Sequence, residues 1–163
     1  MAKKILPEVI TEEDMIKILE KTKHNHHKIA FALGFYECMR ISEVVKLKQE
    51  NINKQVKLLN IKEAKGKKDR NIPIAPEVMK GLKYIPIGVG VRALQIAFNK
   101  KSKEVLGKSL NFHILRHSGV THYLVKKKWS SLEVQRLAGH SRITTTELYT
   151  HINPQDLVGR MWE

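Results

Sequence analysis

Six polar residues of this 163-residue chain have side chains that together could attack a phosphodiester. A phenol can act as the nucleophile, two guanidinium groups can bind the nonbridging oxygens, and a lysine and two imidazoles can transfer protons or donate hydrogen bonds. In chain order these residues are Arg40, Lys65, His113, Arg116, His140 and Tyr149. Folding alone requires no such set, so we predict that the six form one catalytic site.

Four of the six lie in two short motifs in the last third of the chain. His113 and Arg116 stand three residues apart, so on a helix they share one face and can address the same phosphate. By itself this spacing is a weak signal that also occurs on solvated helix faces. Here it is followed by Leu-Ala-Gly-His, which ends at His140, and by Tyr-Thr-His, which begins at Tyr149. The combination is far more specific than either motif.

The interpretation depends most on Tyr149. An unperturbed phenol has a pKa of about 10 and is a poor nucleophile at neutral pH. A neighbouring general base and a strongly positive site would both favour the phenolate. The alternative is an ordinary tyrosine of the hydrophobic core.

The order and spacing of these residues resemble the catalytic half of the tyrosine recombinases, the family of lambda-type integrases and Xer-type recombinases. The match runs from about residue 30 to residue 152 and fills all six positions of the family's site. Arg40-Ile41-Ser42-Glu43 is similar to the first family signature, and Glu43 is a candidate partner for the Arg40 guanidinium. One departure is that Cys38 stands where the family commonly has glycine, which bears on the local backbone geometry.

The resemblance implies how the phosphate is held and attacked. Arg40 and Arg116 would grip the nonbridging oxygens, and His140 would donate a further hydrogen bond to them. Tyr149 would attack the phosphorus and become joined to the DNA as a 3′-phosphotyrosine, leaving a free 5′-hydroxyl. A second DNA end then attacks this link, so the strands are exchanged without ATP, metal or any other cofactor.

The resemblance also implies two proton transfers. His113 would accept the phenol proton, and Lys65 would protonate the departing sugar oxygen. Lys65 lies in a predicted charged turn, and by charge alone Lys67, Lys68 and Arg70 are equal candidates for its role. Lys65 is selected because it precedes the glycine of a Lys-Gly-x-Lys-x-Arg hairpin typical of the family. We expect the other three to contact DNA phosphates.

The composition favours a nucleic-acid partner. Lysine and arginine number 30 against 16 acidic residues, which gives a formal net charge of +14. A field of this sign attracts polyanions, although a solvated lysine-rich surface is the alternative. With the resemblance, we expect the chain to bind double-stranded DNA and to self-associate on it as a tetramer. Its single cysteine excludes an internal disulfide and a cysteine-based zinc site.

We see neither a long apolar run nor a secretory leader, and we therefore expect a cytoplasmic protein of a bacterial or archaeal cell that acts without a membrane. A virus or plasmid could encode it. The resemblance favours an integrase that inserts or excises a viral or other mobile element. A chromosomal Xer-type recombinase, a type IB topoisomerase-like enzyme and a DNA-binding module with vestigial chemistry stay open.

The periodicity predicts a mainly α fold with a small antiparallel β-sheet (α+β), that of the tyrosine recombinase catalytic domain. Thr11 reads as a helix cap, with Met15, Ile16 and Leu19 as the apolar stripe, and further helices are predicted from about 26 and over 42–47. Strands are predicted around 56–61 and 72–74, the second of them at an edge because of its proline. From about residue 90 the chain is predicted to be helical, with breaks near residues 107 and 139.

We expect one catalytic domain over residues 1–163, with an arm at about 1–10 and a tail at about 153–163. The tail carries an apolar set that either packs in cis or docks onto a neighbouring protomer, namely Leu157, Val158, Met161 and Trp162. The N-terminal core-binding domain usual in the family is absent from this sequence, and we expect a catalytic fragment rather than a minimal recombinase.

Overall fold

The computed structural model describes residues 8–62, 69–139 and 154–163. The predicted class is confirmed, since the described residues form helices and one small antiparallel sheet. The helices are α1 (Glu12–Lys21), α2 (Asn25–Tyr36), α3 (Ile41–Lys46), α4 (Pro76–Met79), α5 (Val91–Leu106), α6 (His113–Thr121), α7 (Ser131–Ala138) and α8 (Pro154–Met161). The strands are β1 (Ile52–Asn53), β2 (Leu58–Ile61) and β3 (Arg70–Pro73). Short 3₁₀ turns cover Gln49–Asn51 and Lys80–Tyr84, and His122–Lys126 form one π-helical turn.

The core is built around α2, whose residues from Ile29 to Tyr36 are all buried. Thr11 caps α1 as predicted, in a reciprocal pair of hydrogen bonds with Asp14. The predicted stripe on α1 was wrong in one position, because Met15 and Ile18 are fully buried whereas Ile16 is 44% exposed. α1 packs against both α2 and α5, and its contact face therefore follows the three-residue spacing of Met15 and Ile18.

The sheet has the strand order β1-β2-β3 and is antiparallel throughout, with Leu59 opposite Ile72. β3 is an edge strand, as Pro73 predicted. β2 is shorter than expected because Val56 lies in the preceding turn. β1 has only two residues, and a strand of that length leaves no alternating pattern to read from sequence.

From residue 91 onward the described residues are mainly helical, as predicted. Gly107 and Gly139 end α5 and α7 in the left-handed conformation that glycine adopts without strain. α6 crosses α2 so closely that a Cβ on Gly119 would overlap the Phe35 carbonyl oxygen. None of the helices in the described part of the chain combines the length and the apolar character needed to cross a membrane.

The tail packs in cis in this single chain, which is one of the two arrangements expected for it. Leu157 and Met161 of α8 are buried in the core, and the Trp162 indole N–H donates to the Ile74 carbonyl oxygen at 3.0 Å. α8 thereby lies along β3, the edge strand of the sheet.

Candidate active site

Arg116 is the most deeply buried of the predicted site residues that the structure describes. It lies on α6, is only 4% exposed, and its Nη1 donates to the Cys38 carbonyl oxygen at 2.7 Å. Burial, with a smaller contribution from the positive charge of Arg40, lowers the pKa of Arg116 to about 10. The guanidinium therefore remains charged at neutral pH, as phosphate binding requires.

The turn between α2 and α3 orients the Cys38 carbonyl oxygen toward the Arg116 guanidinium. Cys38 adopts a φ of +53°, in the left-handed region that favours glycine. The family's glycine at this position is thus explained by the backbone, which is left-handed here although the residue is cysteine. The Cys38 side chain is fully buried, and burial raises the pKa of its thiol, which disfavours the reactive thiolate.

Arg40 stands two residues further on, at the N-cap of α3. The expected pairing with Glu43 is confirmed: the Arg40 main-chain N–H donates to Oε1 at 2.8 Å and its Nη1 lies 3.4 Å from Oε2. Its side chain is 39% exposed, so the guanidinium keeps access to solvent and to a ligand. Arg116 is thus buried and anchored to the main chain, whereas the Arg40 side chain lies at the surface of the protein.

Arg70 does not occupy the position expected of it. It is 5% exposed, and its Nη1 and Nη2 donate to the two Glu43 carboxylate oxygens at 2.7 Å and 3.1 Å. Burial alone would raise the pKa of Glu43, but the bonds and charges of Arg70 and Arg40 outweigh it and lower this pKa. A buried, paired guanidinium does not fit the predicted phosphate contact. The alternation along β3 could have indicated this, since it places Arg70 on the same inward face as Ile72.

His113 opens α6 one turn before Arg116. Its ring meets that of His117 edge to face, with centroids 4.6 Å apart, and both residues are exposed. Although much of His113 reaches solvent, desolvation of its ring by the surrounding residues lowers its pKa, and the neighbouring His117, Arg116 and Arg40 lower this pKa further. The structure therefore places three of the six predicted residues, Arg40, His113 and Arg116, close enough for the charges of the two arginines to affect the pKa of His113. Neither His117 nor the role of Arg70 was foreseen from the sequence.

The other predicted site residues lie outside the described part of the chain: Lys65, Lys67, Lys68, His140 and Tyr149. Two described positions border them. β2 and β3 flank residues 63–68, and Gly139 at the end of α7 directly precedes His140.

Two of the three tyrosines that the structure describes are poor candidates for the nucleophile, because they are buried. Tyr36 and Tyr123 are 2% exposed, and their hydroxyls donate to Glu12 and to the Tyr36 carbonyl oxygen. Burial raises the pKa of both phenols, which opposes ionisation. Tyr84 is partly exposed on a 3₁₀ turn, beside His26 and Lys83. Tyr149 is the fourth and last tyrosine of the sequence.

Comparison with known proteins adds three findings. The model of the phage integrase family matches residues 8–96 and 90–156. Among curated relatives, the tyrosine recombinase XerA of Pyrococcus furiosus is 31% identical over 175 residues, which cover 94% of this chain and 60% of that protein. The chain spans about three fifths of the length of the curated relatives it matches.

Solved structures share the fold. The integrase of mycobacterium phage Brujita superposes with a TM-score of 0.83 at 19% identity, over 99% of this chain and 59% of that one. The lambda integrase catalytic core gives 0.67 at 19% identity, over 83% of this chain and 93% of that one. A lambda integrase tetramer bound to a Holliday junction gives 0.66 at 17%, over 88% and 49% of the two chains.

Proposed function

The chain belongs to the phage integrase family, and we propose that it is the catalytic domain of a site-specific recombinase that cleaves and rejoins DNA through Tyr149. The observation that carries this proposal is that one short turn anchors both arginines. Arg116 donates to the main-chain carbonyl of Cys38. Arg40 is two positions after Cys38 and is held by Glu43, which is five positions after Cys38. Because both arginines are anchored on the short segment from Cys38 to Glu43, their guanidiniums can bind one phosphate together.

The reaction would proceed by in-line displacement. Tyr149 attacks the scissile phosphorus and the bond to the 5′ oxygen breaks, while Arg40, Arg116 and His140 stabilise the negative charge on the nonbridging oxygens. His113 takes the phenol proton, a role favoured by its lowered pKa, because the neutral base then predominates at neutral pH. Lys65 gives a proton to the departing 5′ oxygen.

The proposed partner is double-stranded DNA inside a bacterial or archaeal cell, with four copies of the chain assembled on two DNA sites. The net charge of +14 supports DNA binding, and the tetramer is supported by the fold shared with the lambda integrase tetramer on a Holliday junction. Lys67 and Lys68 remain proposed phosphate contacts. We propose that the DNA belongs to a viral or other mobile element, and a chromosomal Xer-type site is the second candidate because XerA proteins are among the relatives.

A cleavage assay in EDTA tests the chemistry. Wild-type protein is mixed with supercoiled plasmid and with nicked duplexes, and the products are run on denaturing gels. We expect plasmid relaxation or a protein–DNA adduct, both lost in Tyr149→Phe and retained in the matched control Tyr84→Phe. DNA binding with no adduct in any variant would instead support a DNA-binding module with vestigial chemistry.

A further inference from the structure

We propose that Arg70 is a positioning residue that fixes two parts of the active site at once, Arg40 through Glu43 and the main chain entering His140 through Gly139. Arg70 begins β3, directly after the segment that carries Lys65. The proposal rests on the proposed function, and it concerns a residue that would not touch the DNA.

The first connection runs through the Glu43 carboxylate. Oε2 accepts from Arg70 Nη1 at 2.7 Å and lies 3.4 Å from Arg40 Nη1. Oε1 accepts from Arg70 Nη2 at 3.1 Å and from the Arg40 main-chain N–H at 2.8 Å. Each oxygen is thus shared by both arginines, and rotation of the carboxylate is fixed by the bidentate Arg70 pair. Arg40 therefore takes its position from a carboxylate that Arg70 holds.

The second connection is a packing contact with Gly139. A Cβ on Gly139 would lie 2.7 Å from Nε, Cζ and Nη1 of Arg70, so the guanidinium lies directly over the glycine. Gly139 ends α7 with a φ of +70°, and its main-chain N–H donates to the Gln135 carbonyl at 2.8 Å. The next residue is His140. Arg70 therefore packs against the main chain at Gly139, the residue that directly precedes His140 in sequence.

These two contacts need an arginine rather than any cation. The planar guanidinium offers two parallel donors to Glu43 and a flat face to Gly139, whereas lysine offers a single compact ammonium. Arg70→Lys keeps the charge and the aliphatic stem but loses both features. Because Arg70 is 5% exposed, this change leaves the surface charge that attracts DNA almost untouched.

The test compares three quantities for wild type and Arg70→Lys: thermal stability, DNA affinity and the single-turnover cleavage rate on a nicked duplex. We expect Kd to change less than about twofold and the cleavage rate to fall about 10- to 100-fold, the order expected for a small misplacement of catalytic groups. The matched control is Arg160→Lys, since Arg160 also pairs with a carboxylate, Glu133 at 3.0 Å. That control should change stability without changing the cleavage rate.

Each outcome is decisive. A folded, DNA-bound Arg70→Lys that cleaves at the wild-type rate would overturn the positioning role and leave the proposed function standing. A wild type that forms no adduct would overturn both. Should Arg70→Lys not be folded at the assay temperature, the double variant Glu43→Gln/Arg70→Met removes both buried charges together and limits the loss of stability. Slow cleavage by this folded variant supports the role, and a wild-type rate overturns it.

Discussion

The buried guanidinium of Arg116 donates a 2.7 Å hydrogen bond to the main-chain carbonyl oxygen of Cys38, a residue in the left-handed conformation two positions before Arg40. This bond ties α6 to the turn that starts α3. The two arginines proposed to bind phosphate are therefore positioned relative to each other by one short turn, and changes in that turn should affect both.

Replacing Arg116 or Arg40 by lysine should slow cleavage in both cases but should lower the unfolding free energy substantially only for Arg116. Arg116→Lys is expected to slow cleavage about 10²- to 10³-fold and to cost about 1–3 kcal/mol of unfolding free energy, because it leaves a buried carbonyl poorly satisfied. Arg40→Lys should slow cleavage as well, but with a stability change within about 0.5 kcal/mol, since its side chain is 39% exposed. Chemical denaturation and single-turnover cleavage measure the two effects. Equal stability losses would contradict the different roles.

The left-handed backbone at Cys38 should reverse the usual order of alanine and glycine. Both Cys38→Ala and Cys38→Gly remove the buried sulfur, so they differ only by one Cβ. At a φ of +53° that Cβ costs about 1–2 kcal/mol, which exceeds the entropic advantage of alanine. We expect Cys38→Gly to be the more stable variant by about 0.5–1 kcal/mol in urea titrations. A more stable Cys38→Ala would show that the turn is not left-handed.

The pair of histidines on α6 should set the acid limit of cleavage. Burial lowers the pKa of His113, and His117, Arg116 and Arg40 lower it further, so the base form persists as the pH falls below 7. His117→Gln removes one of these influences, and the pKa of His113 should then rise. The acid limb of the cleavage-rate profile should move to higher pH. His24→Gln, at the far end of α2, should leave the profile unchanged, and an unmoved limb in both variants would argue against His113 as the base.

Glu37 should make the fold less stable in alkaline solution. It is fully buried beside Ala75, whose main-chain N–H donates to its Oε1, and Oε2 has no hydrogen-bond partner among the described residues. Burial raises its pKa well above the usual value, so the folded state retains a proton that the unfolded chain releases. This stability is present below the unfolded pKa and is lost as the pH rises toward the folded pKa.

Glu37→Gln keeps the acceptor for Ala75 and removes the ionisation. The unfolding free energy of this variant relative to wild type should therefore increase from pH 5 to pH 9, because only the wild type loses stability as the carboxyl ionises in the unfolded chain. Glu20→Gln, at an exposed position, serves as the control and should show a constant difference. Parallel pH curves for wild type and Glu37→Gln would contradict a buried, protonated carboxyl.

Local pattern predicted most of the fold. The Thr11 cap, the helical breaks at Gly107 and Gly139 and the edge position of β3 follow from residue types whose conformational preferences are strong. The buried side of α1 could not be read from α1 alone, because it depends on where α2 and α5 lie. Periodicity in the sequence predicts that a helix is amphipathic more reliably than it predicts which residues of the helix face the core.

For the site, the sequence predicted residue types better than their surroundings. The Arg40–Glu43 pair follows from their spacing, whereas the Arg70–Glu43 pair joins residues 27 positions apart and requires the sheet to bring them together. By residue type alone, any basic residue of a hairpin is expected to lie on the surface and to contact DNA. The inward-facing position at the start of β3 identifies Arg70 as a buried residue.

The central claim is that Tyr149 becomes linked to DNA, and mass spectrometry of the trapped adduct tests it most directly. After cleavage of a nicked duplex in EDTA, the adduct is digested with trypsin and nuclease, and the modified peptide is sequenced. We predict a 3′-phosphonucleotide on Tyr149, with the peptides containing Tyr36, Tyr84 and Tyr123 unmodified. A nucleotide on any other residue, or strand cleavage with no covalent adduct, would contradict the account.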